Sequence, residues 1–265
     1  MKPLNKKDQK TTKESERQVD AVAKALDILE CFTASQPELS LKQLSEKTGL
    51  YKSRILRLCG TLVAQGFMIR IPASKYKLGP KLMALGKVYE NTNPLVSVAR
   101  PVLRELALMT GESTKLFVID GTKRLCLVRE KGTYPLRYAV SEGETYELHA
   151  GAGGKVLLAY ASDEFRHEIL NNNLKKITPS TIVELDRLEK EFETIREQGY
   201  AFSRGELVPE VAGMAAPVFD HENNVCGAMA VAGAEQRFTA QRRQDILKNL
   251  LSSAQKLSRL LGNVG

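Results

Sequence analysis

The chain has 265 residues, 43% of them hydrophobic, which is enough to build buried cores for one large domain or two of ordinary size. No run approaches the roughly 18 to 20 apolar residues of a membrane helix, and the polar start MKPLNKKDQKTTKESERQ lacks the apolar centre of a signal peptide. A membrane partner is therefore not expected, and the cytoplasm is the expected location. The net charge is +8, and its excess is local: Lys47, Lys52, Arg54, Arg57, Arg70, Lys75, Lys77, Lys81 and Lys87 fall between Lys47 and Tyr89 without one acid. Concentrated positive charge is the footprint of a surface that meets a polyanion, which makes nucleic acid the leading partner. Cys31, Cys59, Cys126 and Cys226 lie far apart with no C-x-x-C pair and no histidine at ligand spacing, so neither a metal site nor a disulfide is expected.

Residues 1–18 are rich in Lys, Gln, Thr and Glu without periodicity and read as a disordered tail. From Val19 the spacing of Val22, Ala25, Leu26, Ile28, Leu29 and Phe32 predicts an amphipathic helix that stops before Ser35-Gln36-Pro37. Ser40 stands as N-cap of a helix over 41–48, with Gln43 in the capping-box position. After Gly49-Leu50-Tyr51 a third helix starts near Lys52, with Ile55, Leu56, Leu58, Leu62 and Val63 on its buried side. Two short helices around a three-residue turn containing Gly form a helix-turn-helix, whose second member enters the major groove. Residues 67–71 and 75–78 read as two strands around Pro72-Ala73-Ser74, a wing. A helix over 80–89 follows, and Asn91-Thr92-Asn93-Pro94 marks the domain boundary.

Beyond it, helix and strand patterns alternate. Helices are predicted over 96–110, 154–161, 163–171, 182–198 and 239–261, and strands over 113–120, 124–130, 136–140, 200–203, 211–219 and 225–232. This predicts an α+β domain with a largely antiparallel sheet, with the helices from its two ends packed on one face.

Over Val19 to Leu261 the sequence resembles the IclR-type bacterial transcriptional regulators, on the segments AVAKALDILECF, LSLKQLSEKTGLYKSRILRLCGTLVAQGFM, YKLGPKLMALG, ELHAGAGGKVLLAY, EQGYAFSRGELVPEVAGMAAPVFD and CGAMAVAG. The resemblance implies a winged helix-turn-helix over 19–79, a linker helix over 80–93 and a GAF-like effector-binding domain over 94–262. It further implies a homodimer or tetramer, and a two-fold dimer requires a palindromic operator with half-sites about 34 Å apart or a multiple of that.

On the third helix, Arg54 and Arg57 share one face, where Arg can bridge guanine O6 and N7; they are the expected base readers. Lys52 and Ser53 are expected at phosphates, and Arg70, Lys75 and Lys77 on the wing at backbone or minor groove. Ser40, at the start of the second helix, completes the expected DNA-binding set. Either arginine taken alone reads equally as a phosphate contact or as a partner of Glu46.

His149-Ala150-Gly151-Ala152-Gly153-Gly154-Lys155 is a small-residue loop opening a helix, and its N–H groups suit an anion. Val156 stands where a Walker loop needs Ser or Thr, so a phosphate loop is excluded. The resemblance implies a small organic acid effector at this loop, near Tyr138, Tyr146, Ala152, Gly153, Ser203, Val211, Gly213, Ala230 and Ala232. The chain departs from some well-known members, which carry an acid at the position of Ser203, serines at those of Ala230 and Ala232, and aliphatic residues at those of Tyr138 and Tyr146. The loss of polar contacts and gain of phenols shift the expected ligand towards a larger or aromatic acid. Arg204 is a further candidate carboxylate partner. No cofactor is expected. Scattered His149, His167 and His221, without H-E-x-x-H or G-x-S-x-G, argue against an enzyme. A regulator with a vestigial pocket remains the third reading.

Overall fold

The computed structural model describes residues 19–33, 35–134 and 140–264. The chain divides into two compact units, one ending at Thr92 and the other beginning at Asn93.

The first unit contains α1 (Asp20–Glu30), β1 (Glu38–Ser40), α2 (Leu41–Thr48), α3 (Lys52–Ala64), β2 (Met68–Ile71), β3 (Lys75–Leu78) and α4 (Pro80–Thr92). The capping box forms as the sequence predicts: the Ser40 hydroxyl accepts from the Gln43 N–H and the Gln43 side chain accepts from the Ser40 N–H. Gly49 ends α2 at φ 70°, a left-handed conformation that costs glycine least, and its N–H donates to the Ser45 carbonyl. The three strands run antiparallel in the order β1-β3-β2, so the wing has a third strand that the sequence patterns did not predict; three residues are too few to show alternation. Ile28, Leu39, Leu44, Ile55, Cys59, Met68 and Tyr76 form the core.

Periodicity overstates burial here. Val22, Leu26 and Leu56 are more than half exposed, and α4 buries none of its residues, with Met83, Leu85, Val88 and Tyr89 exposed. A unit of four short helices and a small sheet has an interior only one layer deep, and these apolar positions fall outside it.

The second unit contains α5 (Pro94–Thr110), β4 (Ser113–Asp120), β5 (Lys123–Glu130), β6 (Thr145–Glu147), α6 (Ala152–Ala159), α7 (Asp163–Leu170), α8 (Leu185–Gln198), β7 (Ala201–Arg204), β8 (Val211–Phe219), β9 (Val225–Ala234), a 3-10 turn at Glu235–Arg237 and α9 (Ala240–Leu260). Its six strands form one antiparallel sheet in the order β6-β5-β4-β9-β8-β7. Alternation sends Phe117, Ala215, Ala228 and Ala230 to one face, where they meet Val156, Leu157, Leu188 and Phe192 of α6 and α8. Leu116, Met214, Met229 and Val231 face the other way onto Leu103 and Leu106 of α5 and Leu250 and Leu257 of α9. The helices from the two ends of the unit thus share one face, as predicted.

Several boundaries shift by one to three residues from the sequence patterns, and two differences bear on the second unit's edge and loops. Residues 136–139 of the strand expected over 136–140 lie outside the described residues, Val140 is described and is not in a strand, and the edge strand that is described is the short β6. The helix expected from Ile182 starts at Leu185, because Ile182 is buried and the preceding segment is tied elsewhere: the Thr178 hydroxyl donates to the Gly205 carbonyl and the Thr181 hydroxyl to the Glu206 carbonyl, both at 2.7 Å. Those bonds hold the 205–208 loop.

Candidate DNA-binding surface and effector cavity

Helix α3 projects Lys52, Ser53, Arg54 and Arg57 to solvent while Ile55, Cys59 and Leu62 anchor it. Arg54 pairs with Asp20 of α1, not with the Glu46 considered from sequence; Glu46 pairs with Lys42 at 3.8 Å. An exposed pair of this kind contributes little and exchanges readily for a phosphate or base. Arg57 and Arg70 are exposed, as is Lys77, whereas Lys75 is partly covered and lies 3.7 Å from Glu38. Register divides the wing cations. Arg70 is opposite Tyr76, which is buried, whereas Lys75 and Lys77 stand on the reverse face with Ile71 and Ile69. The Ser40 hydroxyl is engaged by both the Gln43 N–H and its side-chain oxygen, a capping role that its place in the expected DNA-binding set did not include.

In the second unit a small cavity of about 40 Å³, in a cleft open to solvent, lies between the start of α6, the 205–208 loop and strands β4, β5, β8 and β9. Seven of the expected effector residues line it: Ala152, Gly153, Ser203, Val211, Gly213, Ala230 and Ala232. Two do not appear on its wall. Tyr138 lies outside the described residues. Tyr146 sits one layer behind, edge-on to Phe117 with centroids 6.5 Å apart and bonded through its hydroxyl to Glu144, so among the described residues it backs the wall without forming it. Arg204 points away, half-exposed and 3.5 Å from Glu235, which removes it as a partner for a buried carboxylate.

The start of α6 is built by close approach. A Cβ on Gly154 would fall 2.2 Å from the Leu148 carbonyl oxygen, and one on Gly153 2.7 Å from the Phe117 ring. Only glycine lets the helix begin against the sheet in this way. The first N–H groups are already occupied: Gly151 donates to the Glu206 carboxylate at 2.7 Å and Ala152 to the Ser203 hydroxyl at 3.0 Å. Lys155, almost fully buried, donates to Glu206 at 2.6 Å and also to Glu191, pinning α6 to the 206 loop and to α8. The ready-made anion site expected from the glycine loop is therefore shared with two side chains of the chain itself. His149 is buried and donates from Nε2 to the Lys175 carbonyl at 3.0 Å, a structural bond.

Sequence reasoning missed Lys115 and Arg124, both 1% exposed and both on the cavity wall. Arg124 stacks over the Phe117 ring at 4.6 Å. Burial lowers Lys115 from 10.5 to about 7, the larger part of the effect being desolvation, with Arg129 and Arg124 adding in the same direction. The signal was present: in Ser113-Thr114-Lys115-Leu116-Phe117 the lysine occupies the same alternating face as a core phenylalanine, and Arg124 shares one with Cys126. A wider hollow between α8 and α9 at the edge of β7 is floored by Phe202 with Arg243 over its ring; it carries none of the expected effector residues.

A winged helix-turn-helix with a cation-bearing third helix, in one chain with an antiparallel α+β unit, defines a helix-turn-helix transcriptional regulator. The chain belongs to the IclR family of bacterial transcriptional regulators: the IclR helix-turn-helix domain matches residues 21–68 and the IclR C-terminal domain residues 88–259. Over 242 residues it is 28% identical to the HTH-type transcriptional regulator KipR of Bacillus subtilis, covering 91% of this chain and 96% of that protein. It is similar to the crystal structure of an IclR transcriptional regulator from Alicyclobacillus acidocaldarius, with a TM-score of 0.85 and 28% identity over 92% of this chain and 100% of the other. It shares its fold with an IclR homologue from Microbacterium hydrocarbonoxydans complexed with 4-hydroxybenzoate, with a TM-score of 0.80 and 22% identity over 91% of this chain and 99% of that one. The protein is a transcriptional regulator, not an enzyme. Among the described residues no helix is long and apolar enough to cross a membrane.

Proposed function

We propose that the protein binds a palindromic operator as a homodimer or a pair of dimers, and that an organic acid in the cavity of the second unit alters that binding. The observation that carries the effector reading is the cavity itself. Seven residues expected at an effector site converge on one cleft from four separate stretches of chain, and the buried Lys115 and Arg124 line the same wall. The aromatic acid held by the Microbacterium homologue agrees in chemical class. On the DNA side, Lys52, Ser53, Arg54 and Arg57 present the contact face, with Arg70, Lys75 and Lys77 reaching the flanking backbone. A second copy is supported by the apolar residues left exposed in the first unit: Val19 just before α1, Val22 and Leu26 along it, and Met83, Leu85, Val88 and Tyr89 along α4.

The test is titration of the purified protein onto fluorescent DNA from around its own gene, at several salt concentrations, with and without a panel of aliphatic and aromatic acids. Saturable binding that weakens steeply with salt, and that changes by fivefold or more (about 1 kcal/mol) with one acid, is the expected result. DNA affinity indifferent to every acid that raises the melting temperature would refute effector control.

A further inference from the structure

Helix α3 carries an apolar side chain for which its own fold has no use. Ile55, Cys59 and Leu62 face the core, and the exposed Ser53, Leu56, Arg57 and Gly60 fall at i, i+3, i+4 and i+7, so they share the outward face. Leu56 is 53% exposed and, among the described residues, belongs neither to the core of the first unit nor to the partly buried residues packed against it. Gly60 is equally unneeded inside the unit. A Cβ there would meet nothing within 4 Å, although glycine in a helix interior is less stable than alanine. A glycine that no neighbour within the unit requires suits a backbone approached closely from outside.

The chemistry of the helix narrows what that face can read. In the major groove adenine is recognised in bidentate fashion by Asn or Gln, the cytosine amine by Asp or Glu, guanine by Arg or Lys, and thymine by apolar contact with its C5-methyl group. The 13 residues of α3, KSRILRLCGTLVA, contain no Asn, Gln, Asp or Glu. Guanine falls to Arg54 and Arg57. The Thr61 hydroxyl donates to the Arg57 carbonyl at 3.3 Å, and the Ser53 hydroxyl serves several bases alike. Selective reading of an A·T pair by this helix is left to the methyl group, and Leu56 is the large apolar side chain exposed on the face that meets it.

We propose that Leu56 determines operator specificity by packing on the methyl group of a thymine in the major groove, and that Gly60 lets the α3 backbone lie close enough for it to do so. This rests on the reading of α3 as the helix that contacts DNA, and adds to its cations the group that selects an A·T pair. A methyl contact has a signature that a phosphate contact lacks, since it depends on the base and not on ionic strength.

The experiment uses the full chain and DNA from around its own gene, narrowed by footprinting to the protected half-sites. Each thymidine in turn is replaced by deoxyuridine, which removes the methyl group and keeps every hydrogen-bonding group. At one thymine of the half-site the loss should weaken wild-type binding about three- to fivefold, the worth of one buried methyl group. Leu56→Ala should bind the two DNAs alike, with an unchanged salt dependence. Gly60→Ala should keep or raise the melting temperature while weakening operator binding about tenfold. Absence of any thymine whose methyl group matters to the wild type, or a methyl preference that survives Leu56→Ala, would overturn the proposal. So would a Leu56→Ala variant altered only in sedimentation, which would make Leu56 a contact between copies of the chain. Gly60→Ala binding the operator as tightly as wild type would overturn the close approach. Arg57→Ala, measured in parallel, separates this inference from the reading beneath it: if that variant loses affinity and Leu56→Ala keeps its methyl preference, the role of Leu56 alone falls, whereas DNA binding indifferent to both substitutions would overturn the reading of α3 as well.

Discussion

Glu206→Ala should be among the most damaging single changes in the second unit, because its carboxylate ties the 205–208 loop to the start of α6 at two points. It accepts from the Gly151 N–H at 2.7 Å and from Lys155 at 2.6 Å, whereas the bonds of the Thr181 and Thr178 hydroxyls to the residue 206 main-chain carbonyl survive the substitution. Truncation leaves a buried N–H without that acceptor, at about 1 to 3 kcal/mol, and strips one of two carboxylates from a lysine that is 1% exposed. Breaking a buried pair outright costs about 3 to 5 kcal/mol, but Glu191 is one-third exposed and remains bonded to Lys155, so the ion-pair part should come to about half of that. The two contributions sum to about 3 to 5 kcal/mol, or a drop of roughly 6 to 20 °C in melting temperature for a unit of this size. Differential scanning calorimetry and urea unfolding of wild type, Glu206→Ala, Lys155→Met and the double variant would measure it. The double variant should be more stable than Glu206→Ala alone, since removing the ammonium removes the charge left short of a partner. A loss below about 1 kcal/mol for Glu206→Ala, or strictly additive losses, would refute the account of Lys155 and Glu206 as a coupled buried pair.

Arg57→Ala should weaken operator binding by about five- to a hundredfold with the melting temperature and acid binding unchanged, and equal affinity of variant and wild type across salt concentrations would remove Arg57 from the DNA face. Gly153→Ala places a methyl 2.7 Å from the Phe117 ring and 3.2 Å from Arg124, so acid binding should fall at least tenfold while DNA binding in the absence of acid is retained; an unchanged acid titration would show that the cavity is not the effector site. Lys115 also sets a pH dependence. Its value falls from 10.5 to about 7 on folding, so between those limits the unfolded chain binds the extra proton and stability of the ligand-free protein rises with pH, by up to about 1.4 kcal/mol per unit. Unfolding midpoints from pH 7 to 10 for wild type and Lys115→Met would check it, and identical slopes for the two would show that Lys115 stays charged in the folded state.

Sequence alone carried the parts of this protein that depend on residues a few positions apart. The capping box of Ser40 and Gln43, the glycine stop at Gly49, the wing around Pro72-Ala73-Ser74 and the exposed Lys52, Arg54 and Arg57 all follow from short-range hydrogen bonding, backbone preference and helical spacing. Family resemblance extended this to seven residues that do line one cavity. What the tertiary structure decided is which side chains share an interior. Lys115 and Arg124 become wall residues because β4 pairs with both β5 and β9 and the α6 glycines let the helix close over them. Tyr146 drops behind Phe117 because its hydroxyl is taken by Glu144, and Arg204 turns to Glu235 on the outside of the sheet. Val22 and Leu26 show the converse: periodicity declares them apolar but cannot say that the unit's own core ends before it reaches them. Local signals specify elements, whereas burial, charge balance and the shape of a site are sums over residues brought together only by long-range register and packing, which no window of sequence contains.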